Sequence, residues 1–240
     1  MPDRTRAAAP TTPAAPTRAA EAAGPAGSTR PAEPTRPRSA TLLKQRLVEA
    51  HRAEVATGLA WVESDPSLEA AAALITGSRR RFVIGAATSF TYASLLAAKM
   101  SAALAKVTLV DGTIVRPLDI LSDVRDSDVM IAVSLSPYRR YTVEAALPFV
   151  RAGGALVVIT DAVDAPLVRH ATEAVVIAGP GERSEAAARL HPESPLASPT
   201  VVAMVVDILT ALSSASAKGA GRRLADRERL AQELRLYLTE

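Results

Sequence analysis

Two apolar runs of strand length, Val129–Val133 and Ala155–Ile159, flank a single helical pattern within residues 128–161, DVMIAVSLSPYRRYTVEAALPFVRAGGALVVITD. Runs this short, with no polar alternation, describe strands buried on both faces. One helix between two such strands makes a βαβ unit, with parallel strands and a right-handed crossover. Gly153-Gly154 stop the helix, and the second run ends on Thr160 and Asp161. The loop after the first run sets Ser134, Ser136, Arg139, Arg140 and Thr142 at or near a helix N-terminus. Unpaired amides and the helix dipole favour an anion there, so the loop reads as half of a phosphate site.

The alternation continues on either side. Phe82–Gly85 reads as a first strand, followed by a helix from about Ser89 to Leu104. Val107–Val110 is a second strand ending on Asp111-Gly112, and Pro117–Leu121 a short helix. After the central unit come a short helix over Asp164–Ala171, begun by Pro166, and a fifth strand over Ala174–Ala178. Five strands alternating with helices predict an α/β fold, a doubly wound five-stranded parallel sheet. With strand order 2-1-3-4-5 the topological switch lies between the first and third strands, and ligands bind at the carboxyl ends of strands at that switch. The loops meeting there are Gly85–Ser89 and Ser134–Thr142, the two hydroxyl-rich loops, which adds Thr88 and Ser89 to the site.

Ahead of the sheet, Thr41–Val62 is helical, with Leu42, Leu43, Leu47, Val48, Val55, Leu59 and Val62 as its stripe and Ser39 or Thr41 as its cap. Trp61, the only tryptophan, is an anchor against the domain. Asp65-Pro66-Ser67 breaks this helix, and Ser67 caps a second one through Ile75. Arg79-Arg80-Arg81 reads as a solvated turn before the first strand. Beyond the fifth strand, residues 179–198 lose periodicity, with a short helical piece at Ser184–Arg189. Pro199–Ala217 is apolar nearly all round and predicts a buried helix. Arg222–Leu238 is a charged amphipathic helix whose stripe is Leu224, Leu230, Leu234 and Leu238. The organisation expected is therefore a tail over 1–40, N-terminal helices over 41–78, a sheet domain over 79–217 and a C-terminal helix over 218–240.

Residues 1–40 hold eight of the chain's 17 prolines and almost no large apolar side chain, a composition that predicts a disordered tail. It lacks the continuous apolar segment of a secretory signal, and its prolines spoil a transit-peptide helix. The net charge of +3 also sits here: six arginines face three acids, leaving 22 basic and 22 acidic residues in the remaining 200. A neutral body is a poor DNA surface. There is no cysteine, which excludes disulfides and thiolate metal ligands and fits the cytoplasm. No apolar run approaches the roughly 18 residues of a membrane span.

Several segments together resemble the sugar isomerase (SIS) domain family. They are Phe82-Val-Ile-Gly-Ala-Ala-Thr-Ser89, Asp128-Val-Met-Ile-Ala-Val-Ser134, Val143-Glu-Ala-Ala146, Gly154-Ala-Leu-Val-Val-Ile-Thr-Asp161 and Ala165-Pro-Leu167. With a Tyr four residues and a Thr eight residues after Ser134, namely Tyr138 and Thr142, the loop is most similar to the effector domain of RpiR-type transcriptional regulators. The chain carries a linker-like helix where those regulators have a helix-turn-helix domain. The resemblance implies an SIS-type sheet, a homodimer or homotetramer built on flanking helices, and a phosphorylated sugar as ligand. Its implied ligand-binding residues are Thr88, Ser89, Ser134, Ser136, Tyr138, Arg140 and Thr142. Three departures stand out: Ala87 replaces the second glycine of the first loop, Pro137 stands where isomerase members carry glycine, and Tyr141 stands where both branches carry Glu. Pro137 removes one amide donor, for which Arg139 or Arg140 can compensate.

Asp111 ends the second strand where a dinucleotide fold keeps its ribose-binding acid, but Gly85-Ala86-Ala87-Thr88 does not supply G-x-G-x-x-G, so no NAD or other cofactor is expected. No metal-ligand spacing stands out. Aldose–ketose isomerisation needs a base near the sugar carbonyl. His51 and His170 read as surface groups, leaving His191 and Glu193, with Glu182 and Glu185 nearby, as the candidates. The expectation is a non-catalytic sugar-phosphate-binding regulator without its DNA-binding half, with a sugar-phosphate isomerase as the alternative.

Overall fold

Residues 37–177 and 197–238 are described by a computed structural model. Those from Leu43 onward belong to one compact unit, and residues up to Leu42 to a unit apart. The elements run α1 (Pro37–Ser64), α2 (Ser67–Gly77), β1 (Arg80–Ile84), α3 (Thr88–Ala103), β2 (Val107–Val110), α4 (Pro117–Leu121) and β3 (Asp128–Val133). They continue with α5 (Arg140–Arg151), β4 (Ala155–Thr160), a 3-10 turn (Val168–His170), β5 (Glu173–Val176), α6 (Pro199–Ser216) and α7 (Ala220–Glu233). The five strands form one sheet in the order β2-β1-β3-β4-β5, parallel throughout. The switch therefore lies between β1 and β3, as expected for that strand order.

Successive strand residues point to opposite faces, and the central strands show both faces dry. Val129, Ile131 and Val133 of β3, with Val157 and Ile159 of β4, join a core built with α2, α3 and α6. Met130, Ala132, Leu156 and Val158 point the other way, into a second core with Phe149 of α5 and Ile120 of α4. Every residue of β3 is buried. Trp61 packs against the first core as an anchor, its indole N–H donating to Asp65 at 3.0 Å. At Gly58 a Cβ would stand 2.8 Å from a Val201 methyl, so glycine lets α1 approach α6.

Five local expectations are corrected. The Arg79–Arg81 segment is no solvated turn, because β1 begins at Arg80 and Arg81 is only 7% exposed. Arg80 forks onto Asp128, at 3.0 and 2.6 Å, while Arg81 donates to the carbonyls of Ile75, Thr76 and Ala105. Ser39 and Thr41 lie inside α1, which begins at Pro37. Ser67 does not cap α2: the Asp65 carboxylate accepts the Ser67 amide at 2.7 Å. The turn at Val168–His170 is a single one, shorter than the helix expected over Asp164–Ala171. Finally, α7 ends at Glu233 and buries Ala220 and Ala231, leaving Leu224, Leu230, Leu234 and Leu238 exposed. The helix packs on α3 with its small residues buried and its leucine stripe left exposed.

The 18 residues of α6, with mean hydropathy 1.5, are long and apolar enough to cross a membrane, contrary to the sequence expectation. Here the helix is a core element: Val201, Val202, Val205, Val206 and Leu209 are buried, and the exposed Asp207 pairs with Lys99 at 2.6 Å. The helical piece expected at Ser184–Arg189 lies outside the described residues.

Candidate functional site

Two backbone turns shape the site. At the carboxyl end of β1 a Cβ on Gly85 would stand 2.7 Å from the Ser89 carbonyl oxygen, so only glycine lets α3 begin this close to the strand. Ala87 precedes the helix with φ 53° and ψ −129°, a conformation that favours glycine, and its carbonyl accepts the Phe90 amide at 3.0 Å. Thr88 and Ser89 thereby open the first turn of α3. At the end of β3, the Ser134 amide donates to Ile159 at 2.9 Å, carrying the ladder one residue past the strand. The Thr160 hydroxyl donates to the Ser134 carbonyl at 2.7 Å.

The two loops then meet. The Leu135 amide donates to the Ser89 hydroxyl at 3.2 Å, across 46 residues of sequence. Thr88, Ser89, Leu135, Ser136, Pro137 and Arg139 line one small open cleft at the switch point. The peptide between Ser136 and Pro137 is cis.

The SIS domain family model matches residues 74–197, which contain both loops and the whole sheet. The chain belongs to the SIS domain family. A comparison with curated proteins returned no match. Among solved structures, the sugar isomerase domain of an RpiR transcription factor from Sphaerobacter thermophilus is 23% identical, with a TM-score of 0.64 over 77% of this chain and 99% of that one. The NanR protein of Vibrio vulnificus, complexed with ManNAc-6P, is 19% identical, with a TM-score of 0.65 over 81% of this chain and 73% of that one. A hypothetical protein of Methanococcus jannaschii, with an inferred function as 3-hexulose-6-phosphate isomerase, is 12% identical, with a TM-score of 0.60 over 76% and 97%. At these identities the likeness speaks for the SIS fold.

Within this SIS domain the residues expected to bind ligand are sorted by depth. Thr88, Ser89 and Ser136 line the cleft. Ser134 and Thr142 are buried behind it, and the Ser134 hydroxyl has no hydrogen-bond partner. Arg140 stands apart, 88% exposed and paired with Glu144 at 3.2 Å along α5; Arg139, one residue earlier, lines the cleft. Helix geometry explains the difference, since Arg139 is the residue before α5 and Arg140 its first helical residue.

Asp161, at the end of β4, escaped the sequence reading as a site residue. Its buried carboxylate accepts the Ser136 amide at 3.1 and 3.0 Å and the Tyr138 hydroxyl at 3.2 Å. Burial, then the charge and hydrogen bond of Asp161, push the Tyr138 phenol up to about 12, so it stays a donor at ordinary pH. Asp161 thus fixes the loop by both its ends. The signal available was its place at a strand's carboxyl end beside the switch.

Asp111 does not face the cleft: its carboxylate accepts the amides of Thr113, Ile114 and Val115, each at 2.9 Å, and closes its own turn. His191, Glu193, Glu182 and Glu185 lie outside the described residues. Among the described residues no group of three or more His, Asp or Glu side chains is placed to hold a metal.

Proposed function

We propose that the cleft between the β1 and β3 loops binds the phosphate of a phosphorylated sugar, and that the protein is a non-catalytic, RpiR-like sensor of that ligand. The observation that carries this is the Leu135–Ser89 hydrogen bond, which draws Thr88 and Ser136 to one cleft at the mouth of the first turn of α3. Hydroxyl donors, helix-terminal amides and the Arg139 side chain suit a dianion. NanR, of the same fold, was solved with ManNAc-6P, which supports a phosphosugar as the ligand class. Asp161, the carboxylate beside the cleft, is engaged in holding the Ser136–Tyr138 turn, which favours a binding role over proton transfer. Signalling would run through a homo-oligomer whose geometry the ligand biases.

Calorimetric titration with a panel of hexose, pentose and N-acetylhexosamine phosphates should show micromolar-class binding of at least one. Thr88→Val or Ser136→Ala should weaken it by about tenfold or more, the loss of roughly 1.5–3 kcal/mol for a hydrogen bond to a charged group. Absence of heat with every phosphosugar, or full affinity in both variants, would remove the proposal. Turnover of the bound sugar, lost in Glu193→Gln with the fold intact, would instead establish the isomerase.

A further inference from the structure

A second cavity, of about 500 Å³, lies at the opposite pole of the sheet. Arg81 borders it at the amino end of β1, whereas the hydroxyl cleft opens beyond the carboxyl end of the same strand. Its walls are the last turns of α2 and α6, the Leu104–Ala105 corner before β2, and the start of α7. Its size falls within the range of small-molecule sites, roughly 300–1,000 Å³.

The charges around it do not balance. Arg81, Lys218 and Arg223 face the cavity against a single acid, Glu69, and among the described residues none of the four takes part in an ion pair. Arg81 uses three of its five N–H groups on the carbonyls of Ile75, Thr76 and Ala105, at 2.7, 2.9 and 3.1 Å. Arg223 reaches the carbonyls of Ala103 and Lys218 through one nitrogen, at 3.4 and 3.2 Å. Ile75, Thr76 and Ala103 lie in the last turns of α2 and α3, whose partial negative charge offsets some of the guanidinium charge but supplies no full anion. Burial, and then the charge of Arg223, hold the Arg81 guanidinium below its ordinary range. Two guanidinium groups thus border one open volume, with donors left over on both.

Apolar surface completes the pocket, from Ala72, Leu104 and Leu212. We propose that this cavity is a second ligand site, separate from the hydroxyl cleft. It takes a small organic anion whose carboxylate or phosphate sits between Arg81 and Arg223 and whose short apolar body lies against Leu104 and Leu212.

Butyl phosphate, butyrate and inorganic phosphate, each titrated into the full chain against sodium chloride of matched ionic strength, test this by thermal melting and calorimetry. At least one of the two butyl compounds should raise the melting midpoint, and comparing them identifies the preferred head group. Arg223→Gln, at an exposed rim position, should weaken the apparent affinity about fivefold or more through loss of a charge-assisted contact. Lys218→Gln adds to the loss, while Thr88→Val leaves it unchanged. Arg81 is kept, because its loss would unpair the carbonyls ending α2. No stabilisation beyond that given by chloride, equal binding in Arg223→Gln, or binding abolished by Thr88→Val would each overturn the proposal. The first two outcomes leave the phosphosugar test at the cleft untouched, whereas the third would place the anion in that cleft.

Discussion

Ala87 holds a backbone conformation, φ 53° and ψ −129°, that suits glycine and strains any residue with a Cβ. The strain sits on the loop that delivers Thr88 and Ser89 to the cleft, where the family resemblance leads one to expect glycine. Left-handed backbone at a non-glycine residue costs on the order of 1–3 kcal/mol, and glycine returns part of that as extra unfolded-state entropy. Ala87→Gly should therefore stabilise the protein by about 1 kcal/mol in urea denaturation, with an unchanged slope. A loss of stability would show that the surrounding turn relaxes the strain. Of the residues lining the candidate cleft, Thr88, Ser89 and Ser136 were legible because hydroxyl chemistry and strand order both point to one switch. The choice of Arg139 over Arg140, and the part played by Asp161, were harder to find. Which of two adjacent arginines turns inward depends on the residue where α5 begins, and a strand-end Asp is indistinguishable from a simple end to the apolar run.

The entry to β1 shows a limit of local sequence at the scale of an element. Three consecutive arginines read as solvated because nothing within the segment offers a partner. Their partners come from elsewhere: the fully buried Asp128, which opens β3, and the carbonyl ends of α2. Arg80 also binds Asp123, by an ion pair at 3.0 Å and a hydrogen bond to its carbonyl. The Asp128 carboxylate accepts the Arg125 amide as well, at 2.9 Å. Sequence periodicity could give the strands, but not a contact 48 residues apart. Burial works to raise the Asp128 pKa, yet the Arg80 and Arg125 hydrogen bonds and the charges of Arg80 and Arg79 outweigh it, leaving the carboxyl below its usual range. With the folded value below the unfolded one, near 3.9, the stabilisation is complete above about pH 4 and is lost as pH falls through the folded value. Asp128→Asn should cost roughly 3 kcal/mol at pH 7, the result of leaving a half-buried guanidinium short of its partner. The penalty should shrink below pH 4, as the native carboxyl also protonates. Urea melts of both proteins at pH 7 and pH 3 check this, and a pH-independent difference would assign the effect to packing.

At the scale of the whole molecule the puzzle is where the surface leucines go. Leu43, Leu47, Val48 and Leu59 of α1, with Leu224, Leu230 and the adjoining Leu234 at the end of α7, are each between 43% and 67% exposed. Full burial of such a side chain is worth roughly 1.5–3 kcal/mol, so each half-exposed one offers about 1 kcal/mol on being covered. In a homodimer the seven from each copy together offer about 14 kcal/mol, comparable with an association cost on the order of 4–15 kcal/mol. Either row alone offers such a pair only about 6–8 kcal/mol, so a stable oligomer is favoured by covering both rows. The proposed homo-oligomer then makes a sharp demand: a charge placed in either row should be enough to dissociate it. Sedimentation equilibrium should give a multiple of the 25.0 kDa chain mass for the native protein. Leu47→Glu and Leu230→Glu should each return the mass to a single chain with unchanged helical circular dichroism, since both side chains already face solvent within the chain. If only one of the two variants dissociates, the interface lies on that helix and draws on contacts beyond the leucines. If the native protein sediments as one chain, ligand-biased assembly cannot be how a signal leaves the proposed sugar-phosphate site.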